Sequence, residues 1–287
     1  MLAVYRKEMK VYFSGMFGYA VMAILLLFMG LFVAVYNLLS ASADFSYALF
    51  DMQWVLIVTI PFLTMRAIAQ ERHNRTDQLL FSLPLSLCEV VLGKYLALVT
   101  LFSIPTAISA LYPLLLTAMG SVSLPAAYTA LLGYFLMACA LIAVCLFVSS
   151  LVENQIVAAV LCVLTTLIFY FLSAVAALIP VSALVSFLLC LLAALGVAAL
   201  IGYASKNLTV ALITAVILVL PTSGLYIANA ALFTSLVPNF LKSISLFDRF
   251  AGFSYGHFDI PGVIFYLTFT AFFLFLTLQS MEKRRRA

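Results

Sequence analysis

Apolar residues run along this chain in long blocks, and the polar positions are confined to short gaps between them. A bilayer core of about 30 Å takes roughly 20 helical residues at ~1.5 Å each. By that measure eight blocks predict membrane-spanning helices, at residues 16–39, 52–69, 95–118, 126–150, 156–179, 182–203, 208–227 and 260–280. Only the tetrapeptide ASKN separates the sixth from the seventh. The fold class that follows is an all-α polytopic membrane protein, with one transmembrane domain over residues 16–287 and a distinct segment, 1–15, ahead of it.

That first segment has its own periodicity. Leu2, Tyr5, Met9, Tyr12, Phe13 and Met16 recur at helical spacing, with Arg6, Lys7 and Lys10 on the other face. The pattern predicts a helix lying in the membrane interface, apolar side down and cations near anionic headgroups. Val4, Glu8 and Val11 interrupt it. Basic residues before an apolar run also open a signal peptide, but the run here is about 24 residues against the 7–15 of a signal h-region. No small-residue cleavage site follows, so an uncleaved first span is expected.

Composition agrees with the pattern. Hydrophobic residues make up 67% of the 287 positions and charged residues 8%, against about 25% charged in a soluble domain. Such a chain cannot cover a water-exposed surface. An even number of spans puts both termini on one side. If that side is the cytoplasm, twelve of the fourteen Lys and Arg residues lie inside, and only Lys242 and Arg249 lie outside. This is the asymmetry the positive-inside rule describes. A net charge of +4 gives no reason to expect a nucleic-acid partner.

The predicted spans are chemically sparse. Seven of the eight contain no Asp, Glu, Lys, Arg or His; the exception is Arg66, near a span end where its long stem can snorkel. Proton relays need titratable groups inside the bilayer, so this argues against a proton-coupled transporter. A sodium site made of carbonyls and hydroxyls would escape the argument. The five cysteines and two histidines show no ligand-type spacing. Ser/His pairs, paired Asp residues, His-Glu-x-x-His and a nucleotide-binding Gly-x-x-x-x-Gly-Lys-[Ser/Thr] loop are all missing from the spans. The expectation is a non-enzymatic chain without cofactor or metal, drawing its energy from elsewhere. The alternatives are an ion-coupled secondary transporter and a non-transporting membrane scaffold.

One polar island stands out, ERHNRTDQLLFSLPLSLCEVVLGK at residues 71–94. Asn74 precedes a short amphipathic stretch in which Asp77 suits the positive helix start and Leu79, Leu80 and Phe81 supply apolar contacts. Pro84 breaks the chain. Ser86 and Glu89 then form the spacing Ser-x-x-Glu, a capping box that launches the third span. The second span is thus predicted to emerge, turn through a short cytoplasmic helix and be relaunched by a built cap.

This stretch resembles the signature of ABC-2 type transporter permeases, in Glu71, Arg72, Thr76, Leu79, Leu80, Pro84, Ser86, Gly93 and Lys94. Arg75 stands where that family usually has Gly. The C-terminal FDRFAGFSYGHFDIPGVIFYLTFTAFFLFLTLQSMEKRRR is similar to the last span of the gliding-motility-type (Gldg-associated) branch, and the N-terminal amphipathic segment resembles the family's elbow helix. The resemblance implies a coupling helix at about 74–83 that docks on separate cytosolic ABC ATPase subunits. The coupling residues it implies are Glu71, Arg72, Asn74, Thr76, Asp77, Leu79, Leu80, Phe81 and Pro84. ATP and Mg would sit on the partner ATPase, and none on this chain.

It further implies a second permease, identical or related, a Gldg-type auxiliary membrane protein, contact with membrane lipids, and residence in a bacterial cytoplasmic membrane with both termini inside. The implied activity is export of an amphipathic or lipid-linked substrate. That family commonly has six spans, which makes the hairpin at 182–227 an extra pair. The following external segment, 228–259, is rich in Phe and broken by Pro238, Gly252 and Gly256. It reads as an outer gate, a docking face or a membrane-hugging connector. Substrate-binding residues are not legible.

Overall fold

A computed structural model describes residues 1–40, 42, 44–73, 86–118, 120–205, 207–256 and 258–286. Helix α1 spans Leu2–Ser14, and α2 (Met16–Val33) continues into a π-helical stretch, Ala34–Leu39. There follow α3 (Ser46–Thr64), α4 (Ala69–His73), α5 (Leu87–Ser109), α6 (Leu111–Thr117), α7 (Leu124–Leu151), α8 (Gln155–Leu178), α9 (Ala183–Ser205) and α10 (Leu208–Ala228). A 3-10 turn at Ala230–Phe233 leads to α11 (Leu236–Ile244), α12 (Leu246–Ser254) and α13 (Ile260–Arg286).

Among the described residues seven helices are long and apolar enough to cross a membrane. An eighth crossing is reached if Leu212–Ile227 and Ala230–Ile244, bent by 113°, are taken as one broken or re-entrant span. The eight expected runs are therefore all helical, and the seventh is the one whose course departs from a straight crossing.

Two boundaries change the chemistry. Helix α3 begins six residues before the expected span, which brings Asp51 into it, where the Tyr36 hydroxyl donates to its carboxylate. Helix α5 begins at its cap and carries Glu89 and Lys94 into its first two turns. These charges lie just outside the expected spans 52–69 and 95–118, on the helical extensions that precede them. Helix α5 starts where its first amides are capped, whereas the apolar run marks only where lipid-compatible surface begins.

The chain divides into two compact units, one of residues 1–168 and 249–287, the other of 169–248. In the first, α7 is the axle: every residue from Met137 to Leu146 is buried. A helix apolar on all sides is stable only when enclosed, and α3, α5 and α13 pack around it. Phe253 enters this core beside Gly133 and Gly262. A Cβ at either glycine would sit 2.5 or 2.6 Å from its ring, so those positions have no room for a side chain. In the second unit, α9 and α10 pair, and Phe187 stacks on Tyr226 at 4.4 Å with Phe233 edge-on to both.

Candidate functional site

The first unit gathers charge where α1, the α3–α4 junction and the start of α5 meet. Val4, Glu8 and Tyr12, spaced by four, form the buried face of α1, which packs on α5. Gly93 makes that approach possible, since a Cβ there would lie 3.0 Å from the Val4 Cβ. The residue after it, Lys94, then faces Glu8.

Helix α3 contains Pro61 and ends at Thr64. A short break follows before α4, and it frees backbone groups that need partners. The Ala69 amide donates to the Ser149 hydroxyl at 3.2 Å, and the Ala67 carbonyl accepts from Lys94 Nζ at 2.7 Å. Helix α4 then presents Glu71.

Lys94 is 1% exposed. Its Nζ donates to Glu8 Oε1 at 2.8 Å and lies 2.9 Å from Glu71 Oε2. With Ala67 these make three acceptors, matching the three N–H bonds of an ammonium. Lys7 closes the arrangement from the rim, 2.8 Å from Glu71 Oε1. Two cations thus alternate with two carboxylates. Burial opposes the charge on Lys7, but the hydrogen bond and Coulomb attraction of Glu71, with Glu8 adding, outweigh it and hold its ammonium above the ordinary lysine range. A lone buried ammonium would cost several kcal/mol; here each charge has a partner.

A cavity of about 260 Å³ borders this knot, with Arg66 and Gln70 on its wall. The Arg66 guanidinium lies over the Phe17 ring at 4.3 Å. At the head of α5 the expected capping box is present. Ser86 Oγ accepts from the Glu89 amide, and Glu89 Oε2 accepts from the Ser86 amide, both at 3.3 Å.

Of the candidate residues, Glu71 is in the knot and Arg72 is buried beside it in the chain. Asn74, Thr76, Asp77, Leu79, Leu80, Phe81 and Pro84 lie outside the described residues, as does Arg75. Glu8 and Lys7 were not among the candidates, and Lys94 entered only through the resemblance. The predicted apolar stripe of α1 and its packed face share Tyr12; Val4 and Glu8, which interrupt the stripe, are buried as well, while Leu2 is 68% exposed. The available signal was the four-residue spacing of Val4, Glu8 and Tyr12.

Among the described residues no group of three or more His, Cys, Asp or Glu side chains is placed to hold a metal. A family model described as ABC-2 family transporter protein matches residues 39–184, just over half of the chain and all of the stretch 71–94. No curated protein matches the chain.

Proposed function

The chain belongs to the ABC-2 family of transporter membrane proteins and is a non-catalytic permease subunit; from that premise we propose that it serves an ATP-driven exporter powered by a separate cytosolic ABC ATPase. The observation that supports this reading is the Lys94 knot. Helix α4 ends just before residue 74 and the Ser86 cap opens α5 just after residue 85, and Lys94 of α5 joins Glu71 of α4 to Glu8 of α1. A subunit that pushes on 74–83 therefore acts on three helices at once. In this reading α1 is the elbow helix, 74–83 the coupling helix, and Leu79, Leu80 and Phe81 its contacts with the ATPase. A second permease, identical or related, completes the pathway, and a Gldg-type protein joins outside. Uncharged membrane-facing walls suit an amphipathic or lipid-linked substrate better than a small ion.

The test is affinity purification from native membranes in mild detergent, with mass spectrometry of what accompanies the chain. A stoichiometric ABC ATPase is expected, and its loss when Leu79→Asp and Leu80→Asp are combined in a chain that still runs as a single species. Absence of any ATPase under several gentle conditions rejects the reading in favour of a secondary transporter or a scaffold. The orientation has its own check: cysteines placed at Lys10 and Arg284 react with an impermeant maleimide only in inverted vesicles, and one at Lys242 only in right-side-out cells.

A further inference from the structure

A small internal cavity of about 10 Å³ lies in the first unit, among α2, α3, α5 and α7, and every residue that lines it is buried. Met29 of α2 and Met52 of α3 contribute thioethers. Thr106 and Ser109 come from α5, on either side of the turn that follows Pro105, and Tyr134 comes from α7. Tyr134 is 2% exposed, and its hydroxyl has no hydrogen-bond partner among the described residues. The two smaller hydroxyls are differently placed. Thr106 Oγ1 donates to the Phe102 carbonyl at 3.0 Å, and Ser109 Oγ donates to the Pro105 carbonyl at 2.8 Å. Each has given its proton to its own helix and keeps lone pairs to accept with. One hollow is thus lined by a donor that lacks an acceptor and by two acceptors that lack a donor.

Serine and threonine bonded back to their own helix are ordinary in membrane spans and need no ligand. A buried tyrosine hydroxyl without a partner is another matter, since such groups are nearly always satisfied. A purely apolar hollow stays dry, but a polar one with roughly 10–15 Å³ of room holds a water that makes about three hydrogen bonds. This cavity has that room and three hydroxyls. A cation would find no carboxylate on the same lining. We propose that the cavity binds one ordered water, which accepts from the Tyr134 hydroxyl and donates to Thr106 Oγ1 and Ser109 Oγ. The water ties α7 to α5 beside Pro105, which interrupts the hydrogen-bond ladder of α5. Breaks of that kind are tolerated inside a membrane where hydroxyls and ordered water satisfy the polar groups around them. The site contains none of the residues assigned to ATPase coupling and its test needs no ATPase, so it and the exporter reading fail separately.

The experiment is radiolytic footprinting of the full chain in detergent. Brief X-ray pulses make hydroxyl radicals from bulk and bound water alike, and mass spectrometry reads the oxygen added to each side chain. Bulk radicals do not reach a buried methionine, so rapid labelling there reports a water beside it. Met29 and Met52 are expected to be oxidised severalfold faster than Met137, which is as deeply buried on α7 but is not on the lining. That comparison needs no variant. Thr106→Val with Ser109→Ala removes both acceptors and is expected to bring Met29 and Met52 down to the rate of Met137. Tyr134→Phe, which removes the donor, is expected to lower the same two rates. Labelling of Met29 and Met52 no faster than that of Met137 overturns the proposal, as does fast labelling that survives in both variants. Sodium chloride that raises the melting temperature over choline chloride and suppresses the labelling makes the occupant a cation and also overturns it.

Discussion

Replacing Lys94 by methionine keeps the length of the stem and removes the ammonium, leaving Glu8 and Glu71 facing one vacated point and the Ala67 carbonyl without its donor. Removing one partner of a buried ion pair costs about 3–5 kcal/mol. Lys94→Met is therefore expected to lower the melting temperature in detergent sharply, or to abolish the monodisperse species altogether. Adding Glu8→Gln is expected to recover a large part of the loss, since Glu71 keeps Lys7 at 2.8 Å and no surplus carboxylate remains. The cycle of single and double variants measures the coupling directly. A Lys94→Met protein that melts with the wild type would mean the knot carries no stability.

At the scale of elements, α1 rests on α5 through a tight contact, in which a Cβ at Gly93 would lie 3.0 Å from that of Val4. Gly93→Val places branched carbons where Val4 already lies, and overpacking of this kind costs about 1–3 kcal/mol. Faster hydrogen exchange across Leu2–Ser14 is expected, with the core of α7 unchanged; equal exchange in α1 would show that the helix is held by other contacts. What could be read in advance divides along the same line. The Ser86–Glu89 box was legible because its partners are three residues apart and its geometry is local. The helices themselves were legible because lipid-compatible length is a property of one segment. Lys94 was not legible as a buried group, for Glu8 is 86 positions away and the Ala67 carbonyl is free only because α3 breaks after Thr64. The burial of Glu8 was hidden for a related reason. An acid that looks like an interruption of an apolar stripe becomes the buried residue once a lysine on another helix neutralises it.

Across the whole molecule, docking of an ATPase and transmission of its movement fall on different residues, and that separation is testable. Leu79 and Leu80 are assigned to contact, whereas Glu8 lies on α1 and reaches Glu71 of α4 through the cations they share, Lys94 and, at longer range, Lys7. Glu8→Gln removes one charge but leaves an oxygen that can still accept from the ammonium, with Glu71 and Ala67 in place, so a folded protein is expected. In a reconstituted complex, that variant is expected to retain the ATPase in full stoichiometry while ATP-dependent movement of a fluorescent lipid analogue into inverted vesicles falls severalfold. Leu79→Asp with Leu80→Asp is expected to lose the ATPase itself. Transport that is unaffected by Glu8→Gln would mean that the Glu8–Lys94 contact carries no motion and leave α4, α5 and the Lys7–Glu71 pair as the route. Loss of the ATPase in Glu8→Gln would instead mean that the knot shapes the docking surface. Only the combination of retained ATPase and diminished transport fits a knot that carries motion from the coupling segment into the spans.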